Sequence, residues 1–384
     1  MNEAAALPSR SVGVRWTTFG TGLLLHDEVR NQVHLLNDTA QLVWLACDGV
    51  TTLDEAAETF AVAANHPVDQ VRDDIGAHVA TLRDADLLGR AVGTQVAPPP
   101  DTVDEPGIAA RLQVLDDVVV ISSNDLTLAQ RLAEPFSALR VLDGRLPVET
   151  DSGHTHHIGI HATSDAIRVY GMGHDQMLAS EVQVVDVLTS LVNTAVRATS
   201  SVLALHAGAV RSPEGSVVVI AGHSGAGKST LTAALVNAGW DYLTDEAVGI
   251  RASSLLAVGY PKPLALDASS RTLLAMAPGR YPVAPIEEVR PDATAICGDA
   301  GPVTALIILD PDPNRDPAAA DEQAALSPAE ALVAIAPHAI NLVAAADHGL
   351  GALAQLAHRV TIRRLARRDL DDAVRFVQSV ATHG

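Results

Sequence analysis

The sequence predicts an α/β protein of two domains: a winged-helix-like unit of three strands and three helices, then a larger P-loop domain. Three observations predict this. Residues 11–36 alternate like short strands, and residues 37–88 carry three helical patterns. Residues 92–107 are rich in proline, with Pro98, Pro99 and Pro100 in a row, and read as a stiff linker. Residues Gly222 to Ser229 fit G-x-x-x-x-G-K-[ST] between an apolar run and a helical pattern. The expected divisions are 1–91, 92–107 and 108–384.

In the first domain Val12, Val14 and Trp16 alternate, and Leu23 to Leu25 follow Gly20 and Gly22. Val33 and Leu35 alternate again after the polar turn Asp27 to Arg30. The first helix starts near Asn37 and Asp38, carries Ala40, Val43, Trp44 and Cys47, and stops at Asp48-Gly49. The second opens on Thr52-Leu-Asp-Glu55, a capping box. The third takes Pro67 in its first turn and spaces Val68, Val71, Ile75, Val79 and Leu82 at the helical period. Leu87 and Leu88 read as a short closing strand.

Beyond the linker, Val118 to Ile121 reads as a strand and Asp125 to Ser137 as a helix. His157 to His161 and Ala166 to Tyr170 read as a hairpin, and Val182 to Ala198 as an amphipathic helix. His154, His156, His157 and His161 have no cysteine beside them and occupy loop and strand-edge context, which argues against a metal site. Gly171-Met-Gly173 follows a hairpin rather than opening a βαβ unit, so it is no dinucleotide fingerprint. Leu203 to Val210 reads as one strand leading into the apolar strand Val217 to Ala221.

Gly222, His223, Ser224, Gly225, Ala226, Gly227, Lys228, Ser229 and Thr230 form the candidate nucleotide-binding loop. Glycines let the backbone turn N–H groups toward phosphate oxygens, and the N-terminus of the next helix adds positive potential. Lys228 reaches the outer phosphates, and the Ser229 hydroxyl is a ligand for Mg²⁺. The helix that follows closes at Gly239. Asp241 to Val248 then reads as a strand whose edge carries Asp245 and Glu246, candidates for a base and metal ligands. Val303 to Asp310 competes as an apolar run before an acid, but ranks second because Asp310 enters a Pro/Asp stretch that reads as exposed loop. Residues 311–325 read as a flexible insertion, Ser327 and Glu330 as a capping box, Val360 to Leu365 as the last strand, and Asp369 as the cap of the last helix.

Composition supports this reading. Of 26 Lys and Arg residues only two are lysines, Lys228 and Lys262. Lys is a compact point charge and Arg a planar fork, so a lysine kept in the phosphate loop is meaningful. Lys262, held between Pro261 and Pro263, is expected as a second phosphate contact. Aromatic residues make up 3% of the chain, so the cores must be aliphatic. The net charge of −20 argues against a nucleic-acid backbone or an anionic membrane as partner, leaving one local cluster of Arg359, Arg363, Arg364, Arg367 and Arg368. Residues 1–91 hold six Arg, no Lys and thirteen Asp or Glu, a net charge of −7 that disfavours DNA binding by a winged helix. Two distant cysteines, no basic-then-apolar start and no apolar run of about 18–20 residues make the cytoplasm the expected location.

The run Leu35 to Thr52, containing Leu35-Leu-Asn-Asp-Thr-Ala and Trp44 before Asp48-Gly49, resembles the PqqD-type domains, with the helix pair ending Thr81 to Leu88. That resemblance covers about residues 10–90. It implies capture of a precursor peptide's leader as an added strand, on the third strand and against the third helix, a mode in which edge N–H and C=O groups pair the peptide.

His206, the loop and the pair Asp245-Glu246 stand in the order of the HPr kinase family, and the resemblance covers roughly 108–384. It is closer still to HPr-kinase-like proteins of peptide maturation, which phosphorylate a serine of a precursor. The resemblance implies the phosphoenolpyruvate-carboxykinase-like P-loop fold and a cofactor of ATP, or another NTP, with Mg²⁺. It further implies that His206 orients the acid pair, Asp245 takes the proton from an acceptor hydroxyl, and Ser229 and Glu246 hold Mg²⁺. Glu246 departs from the family, which has a second Asp there, and the split of roles between the two acids stays open. Self-assembly is implied too, of no fixed number.

The expected function is therefore an ATP/Mg²⁺-dependent kinase acting on a hydroxyl of a precursor peptide. Two alternatives stand beside it. One is a winged-helix regulator under nucleotide control. The other is a small-molecule kinase whose first domain serves assembly.

Overall fold

A computed structural model describes residues 6–11, 14–19, 22–27, 32–64, 66–89, 107–141, 153–274, 286–289, 294–310, 325–366 and 369–383. The proline-rich stretch of the linker at 92–106, the turn residues 28–30, the insertion at 311–324, and Arg367 and Arg368 lie outside the described residues. The chain divides into two compact units, Met1–Pro98 and Pro99–Gly384.

The first unit has three strands, β1 (Val14–Phe19), β2 (Gly22–Asp27) and β3 (Gln32–Leu36), followed by α1 (Asp38–Ala46), α2 (Leu53–Ala64) and α3 (Val68–Asp84). The strands form an antiparallel sheet in the order β1-β2-β3, so β3 is an edge. Side-chain caps start the helices where the sequence places them. Asn37 accepts from the Ala40 N–H at 2.9 Å. Thr52 and Glu55 close the capping box reciprocally at 2.9 and 3.2 Å. Val71, Ile75, Val79 and Leu82 turn inward as their spacing predicts and join Trp44, Leu23 and Leu25 in one core. Fully burying such a side chain contributes about 1.5–3 kcal/mol. Two expectations need correction. Val68 begins α3 on the surface, and Leu87–Leu88 make only an isolated bridge, Arg10 to Leu88, rather than a strand.

The second unit opens with β4 (Gly107–Val114), β5 (Asp117–Ser123), α4 (Leu126–Leu132), β6 (Thr155–Ala162), β7 (Ile167–Gly171), β8 (His174–Leu178) and α5 (Glu181–Ala198). These strands make a five-stranded sheet in chain order. Neither β4 nor β8 is expected from the sequence. Arg111 and Gln113 interrupt the apolar signal of β4, and β8 is mostly polar. Gly171-Met-Gly173 is the turn joining β7 to β8, with positive φ throughout. Leu112, Ile121, Val184 and Val192 build the core beneath α5.

Next come β9 (Leu203–Leu205), β10 (Ala207–Arg211), β11 (Val217–Ala221), α6 (Lys228–Asn237), β12 (Asp241–Thr244), β13 (Val248–Ile250) and β14 (Leu256–Gly259). They are followed by β15 (Leu264–Asp267), α7 (Ala268–Leu273), β16 (Ile286–Val289) and β17 (Gly298–Asp310). The chain ends with α8 (Pro328–Ile335), α9 (Leu342–Arg359), β18 (Thr361–Ala366) and α10 (Leu370–His383). An eight-stranded sheet runs β12-β10-β11-β17-β14-β13-β9, with β18 also on β17. The first part of β17 pairs with β14, and the remainder runs parallel between β11 and β18. Helices α6 and α10 share a core with β10, β11, β12, β17 and β18 through Leu231, Leu235, Trp240, Ile307 and Val377.

Two breaks in this sheet position the candidate site. The run Leu203 to Val210, expected as one strand, breaks at His206 into β9 and β10. The run Asp241 to Val248 breaks at Asp245-Glu246 into β12 and β13. Because β10 pairs with β12 and β9 with β13, the two breaks face each other.

Candidate functional site

Strand β11 is buried throughout and delivers the chain to Gly222. Residues 222–227 turn back, and α6 begins at Lys228 with Gly227 as its cap at φ +96°. Gly225 also has a positive φ, +77°, and a Cβ on either would meet nothing within 4 Å. Conformation, not space, therefore demands glycine at both, and this left-handed backbone aims successive N–H groups one way. Lys228 is buried, and its Nζ donates to the carbonyls of Gly222 and His223 at 2.9 and 3.3 Å. Burial lowers its pKa, opposed by the charges of Glu246 and Asp245, so the two acids lie within its field.

Those acids stand at the break after β12. Asp245 is 3% exposed. Its Oδ1 accepts the Tyr242 O–H at 3.1 Å and lies 3.2 Å from Lys262 Nζ, and its Oδ2 accepts the Ala265 N–H at 3.1 Å. Glu246 is more open; its carboxylate lies 3.6 Å from His206 Nδ1 and 3.8 Å from Lys262 Nζ. Thr244 Oγ1 accepts the N–H groups of Glu246 and Ala247 at 3.1 and 3.2 Å, which pins the bend. His206 Nδ1 donates to the Glu246 carbonyl at 2.9 Å.

One cleft of about 840 Å³ joins these parts. Ser224, Gly225, Ala226, Gly227, Lys228, Ser229 and Thr230 line one side of it. His206, Asp245 and Glu246 line it as well. Gly222 and His223 do not line it but supply the carbonyls on which Lys228 rests. Lys262 is a correction. It does not line the cleft, and its ammonium faces the acid pair and the Pro263 carbonyl rather than open space where a phosphate could sit.

Several residues of the site are not singled out by the sequence. Tyr242, the buried partner of Asp245, also donates to the Lys262 carbonyl at 2.7 Å. His338 lies behind the loop, its ring 6.0 Å from that of His223, and its carbonyl accepts the His206 N–H at 2.7 Å. Burial, then the positive neighbours His223, Lys228 and His206, push its pKa down to about 4. Ser270 shares a hydrogen bond of 2.7 Å with Thr230 and ties α7 to the loop helix. Asp310, ranked second from sequence, lines the cleft at the end of β17, which runs parallel beside β11. The parallel neighbour of the loop strand carries this acid to the cleft, a signal visible once the pairing is known.

Among the described residues no group of three His, Cys, Asp or Glu side chains is placed to hold a metal ion by itself. The histidines of β6 are spoken for in part: His156 pairs with buried Asp117 at 2.9 Å. No described helix is long and apolar enough to cross a membrane.

No curated protein matches the chain. A structure of TbiB1 in complex with the TbiA(beta) leader peptide is 13% identical, covers 22% of this chain and 99% of that one, and has a TM-score of 0.20. The HPr(Ser) kinase/phosphatase from Coxiella burnetii is 14% identical, covers 47% of this chain and 88% of that one, and has a TM-score of 0.29. Likenesses this weak assign no activity to the chain. Residues 22–88 match the family described as coenzyme PQQ synthesis protein D (PqqD), and the first unit thus carries a PqqD domain.

Proposed function

We propose that the chain transfers the terminal phosphoryl group of ATP, or another nucleoside triphosphate, to a hydroxyl of a ribosomally made precursor peptide, a serine in the first instance. The observation that carries this is the sharing of one cleft by the glycine loop with Lys228 and by the Asp245-Glu246 break with His206. Phosphoryl transfer asks for positioned phosphates, neutralised charge and a carboxylate near the nucleophile, with little covalent chemistry from the protein.

The residues fit a Mg²⁺-bound triphosphate. The loop offers N–H groups from left-handed glycines, and Lys228 rests on carbonyls it can leave. Ser229, Asp245 and Glu246 offer oxygen donors, and Mg²⁺ needs only one or two carboxylates beside phosphate oxygens and water. When bound, Mg²⁺ neutralises charge on the transferring phosphates. Lys228 adds a fixed cation there. The acid pair supplies the proton acceptor for the hydroxyl, and His206 holds the main chain of Glu246 in place.

The PqqD domain serves recruitment. Its edge strand β3 leaves one side unpaired within the sheet, and Leu35 on that strand is 37% exposed. An added strand from a leader would pair there, with α3 beside it. Tethering through the leader raises the core's effective concentration toward millimolar, so the cleft itself needs little sequence preference.

Intact-mass analysis tests the proposal. A precursor encoded beside this gene, incubated with the chain, ATP and Mg²⁺, should gain one phosphate mass. Consumption of ATP with the peptide mass unchanged would count against a peptide acceptor.

A further inference from the structure

We infer that Lys262 is a positioning residue that divides the work of the two acids: it fixes Asp245 as a buried scaffold and leaves Glu246 as the carboxylate that serves the cleft. The inference rests on the phosphotransfer reading and deepens it.

Lys262 is 3% exposed. An ammonium has three protons to donate. Pro263 O accepts at 3.2 Å, Asp245 Oδ1 lies at 3.2 Å, and Glu246 Oε2 lies at 3.8 Å. The first two lie within hydrogen-bond reach, and Glu246 sits at ion-pair distance. The same main chain is held from the other side by Tyr242, whose hydroxyl spans Asp245 Oδ1 and the Lys262 carbonyl at 3.1 and 2.7 Å.

Asp245 is held on both of its oxygens by this arrangement. Its two oxygens face three donors, from Tyr242, Lys262 and Ala265, in a place closed to solvent. Glu246 keeps a side chain 36% exposed on the cleft wall, with His206 and Lys262 flanking it. Both acids line the cleft, but only Glu246 is substantially open to it.

Charge points the same way. Two adjacent carboxylates repel each other and an incoming polyphosphate. A cation buried behind them cancels one charge without occupying the cleft. Buried ion pairs are weak stability devices, because desolvation offsets most of their attraction; an apolar pair often does as well. A chain that writes its cations almost wholly as Arg nevertheless has one lysine under the phosphate loop and the other behind the acids. Arg keeps the charge but, as a planar fork, meets these oxygens less well than a compact ammonium.

The test uses the full chain and five proteins: wild type, Lys262→Met, Lys262→Arg, Glu246→Gln and Asp245→Asn/Lys262→Met. The double variant removes the carboxylate stranded by Lys262→Met, so a folded protein lacking the ammonium is available even if the single variant misfolds. The first readout is calorimetric binding of the β,γ-imido analogue of ATP, with and without Mg²⁺. Wild type should gain affinity from Mg²⁺. In Lys262→Met and Glu246→Gln that gain should shrink at least tenfold, while Mg²⁺-free affinity stays within threefold. The second readout is peptide phosphorylation. Lys262→Met should lose about a hundredfold in kcat with KM for ATP within threefold, Lys262→Arg should recover at least tenfold of the loss, and the double variant should be no slower than Lys262→Met.

A loss confined to Mg²⁺-free affinity and KM would make Lys262 a phosphate contact and overturn the inference. So would a Mg²⁺ gain unchanged in Lys262→Met. If wild type phosphorylates no peptide, the phosphotransfer reading fails, and the binding experiment still decides the role of Lys262.

Discussion

His206 Nδ1 lies 2.9 Å from the main-chain carbonyl oxygen of Glu246, and so joins the break between β9 and β10 to the break between β12 and β13. A carbonyl only accepts, so Nδ1 carries the hydrogen and Nε2 is the nitrogen left over. The bond fixes the backbone of the one acid that is open to the cleft. Replacing His206 by Ala should therefore lower kcat about tenfold to a hundredfold, with stability reduced by about 1 kcal/mol. Steady-state phosphorylation beside a urea melt checks both numbers. Unchanged kcat in the folded variant would return His206 to a purely structural role.

Lys228→Ala should abolish nucleotide binding at working concentrations. The buried ammonium has Gly222 and His223 carbonyls as its resting partners, so nothing else in the loop replaces its charge. Titration with a fluorescent ATP analogue should show at least about a hundredfold loss, the scale of a charge-assisted contact worth about 3 kcal/mol.

His338 gives the pH prediction. Burial and the neighbouring His223, Lys228 and His206 move its pKa from 6.5 to about 4 in the folded chain. The unfolded chain takes the proton more readily. Stability is full above the unfolded value, falls as pH drops through the window between 6.5 and about 4, and levels off below it. The loss from this one group is at most about 3 kcal/mol. Urea midpoints of wild type and His338→Gln across that window should converge as pH falls. Parallel curves would contradict the assignment.

Tyr242→Phe removes a hydroxyl bonded to both Asp245 and the Lys262 carbonyl. The hydroxyl has one hydrogen and is nearer the Lys262 carbonyl, so leaving that buried acceptor short of a donor should cost about 1–3 kcal/mol. Thermal unfolding measures this directly, and a cost near zero would mean that water fills the place.

Leu35→Glu on edge strand β3 should weaken leader binding at least tenfold without touching nucleotide affinity. Anisotropy of a labelled leader peptide, measured beside analogue titration, separates the two. Equal loss in both would argue against recruitment by β3.

Much of the site is legible in the sequence because it is local. The glycine loop is one contiguous segment whose spacing is set by phosphate geometry, and Asp245-Glu246 and His206 each end or interrupt an apolar run. The capping boxes at Thr52 and Ser327 are readable for the same reason and are both present. What escapes the sequence depends on pairing. Leu203 to Val210 is apolar without interruption apart from His206, so nothing local shows that the strand changes partners there. The destination of Lys262 needs the segment after β14 laid against β12, where the Tyr260 N–H meets the Leu243 carbonyl, since composition marks the lysine but not the oxygens it meets. Asp310 reads as loop until β17 is laid beside β11.

The central claim is that the terminal phosphate of the nucleotide ends on the peptide through the cleft at Lys228. Incubation of the precursor with ATP labelled at the γ or at the α phosphorus tests it most directly. Label should reach the peptide from the γ position alone, and none should reach it with Lys228→Ala. Label from the α position, or γ label undiminished in that variant, would contradict the claim.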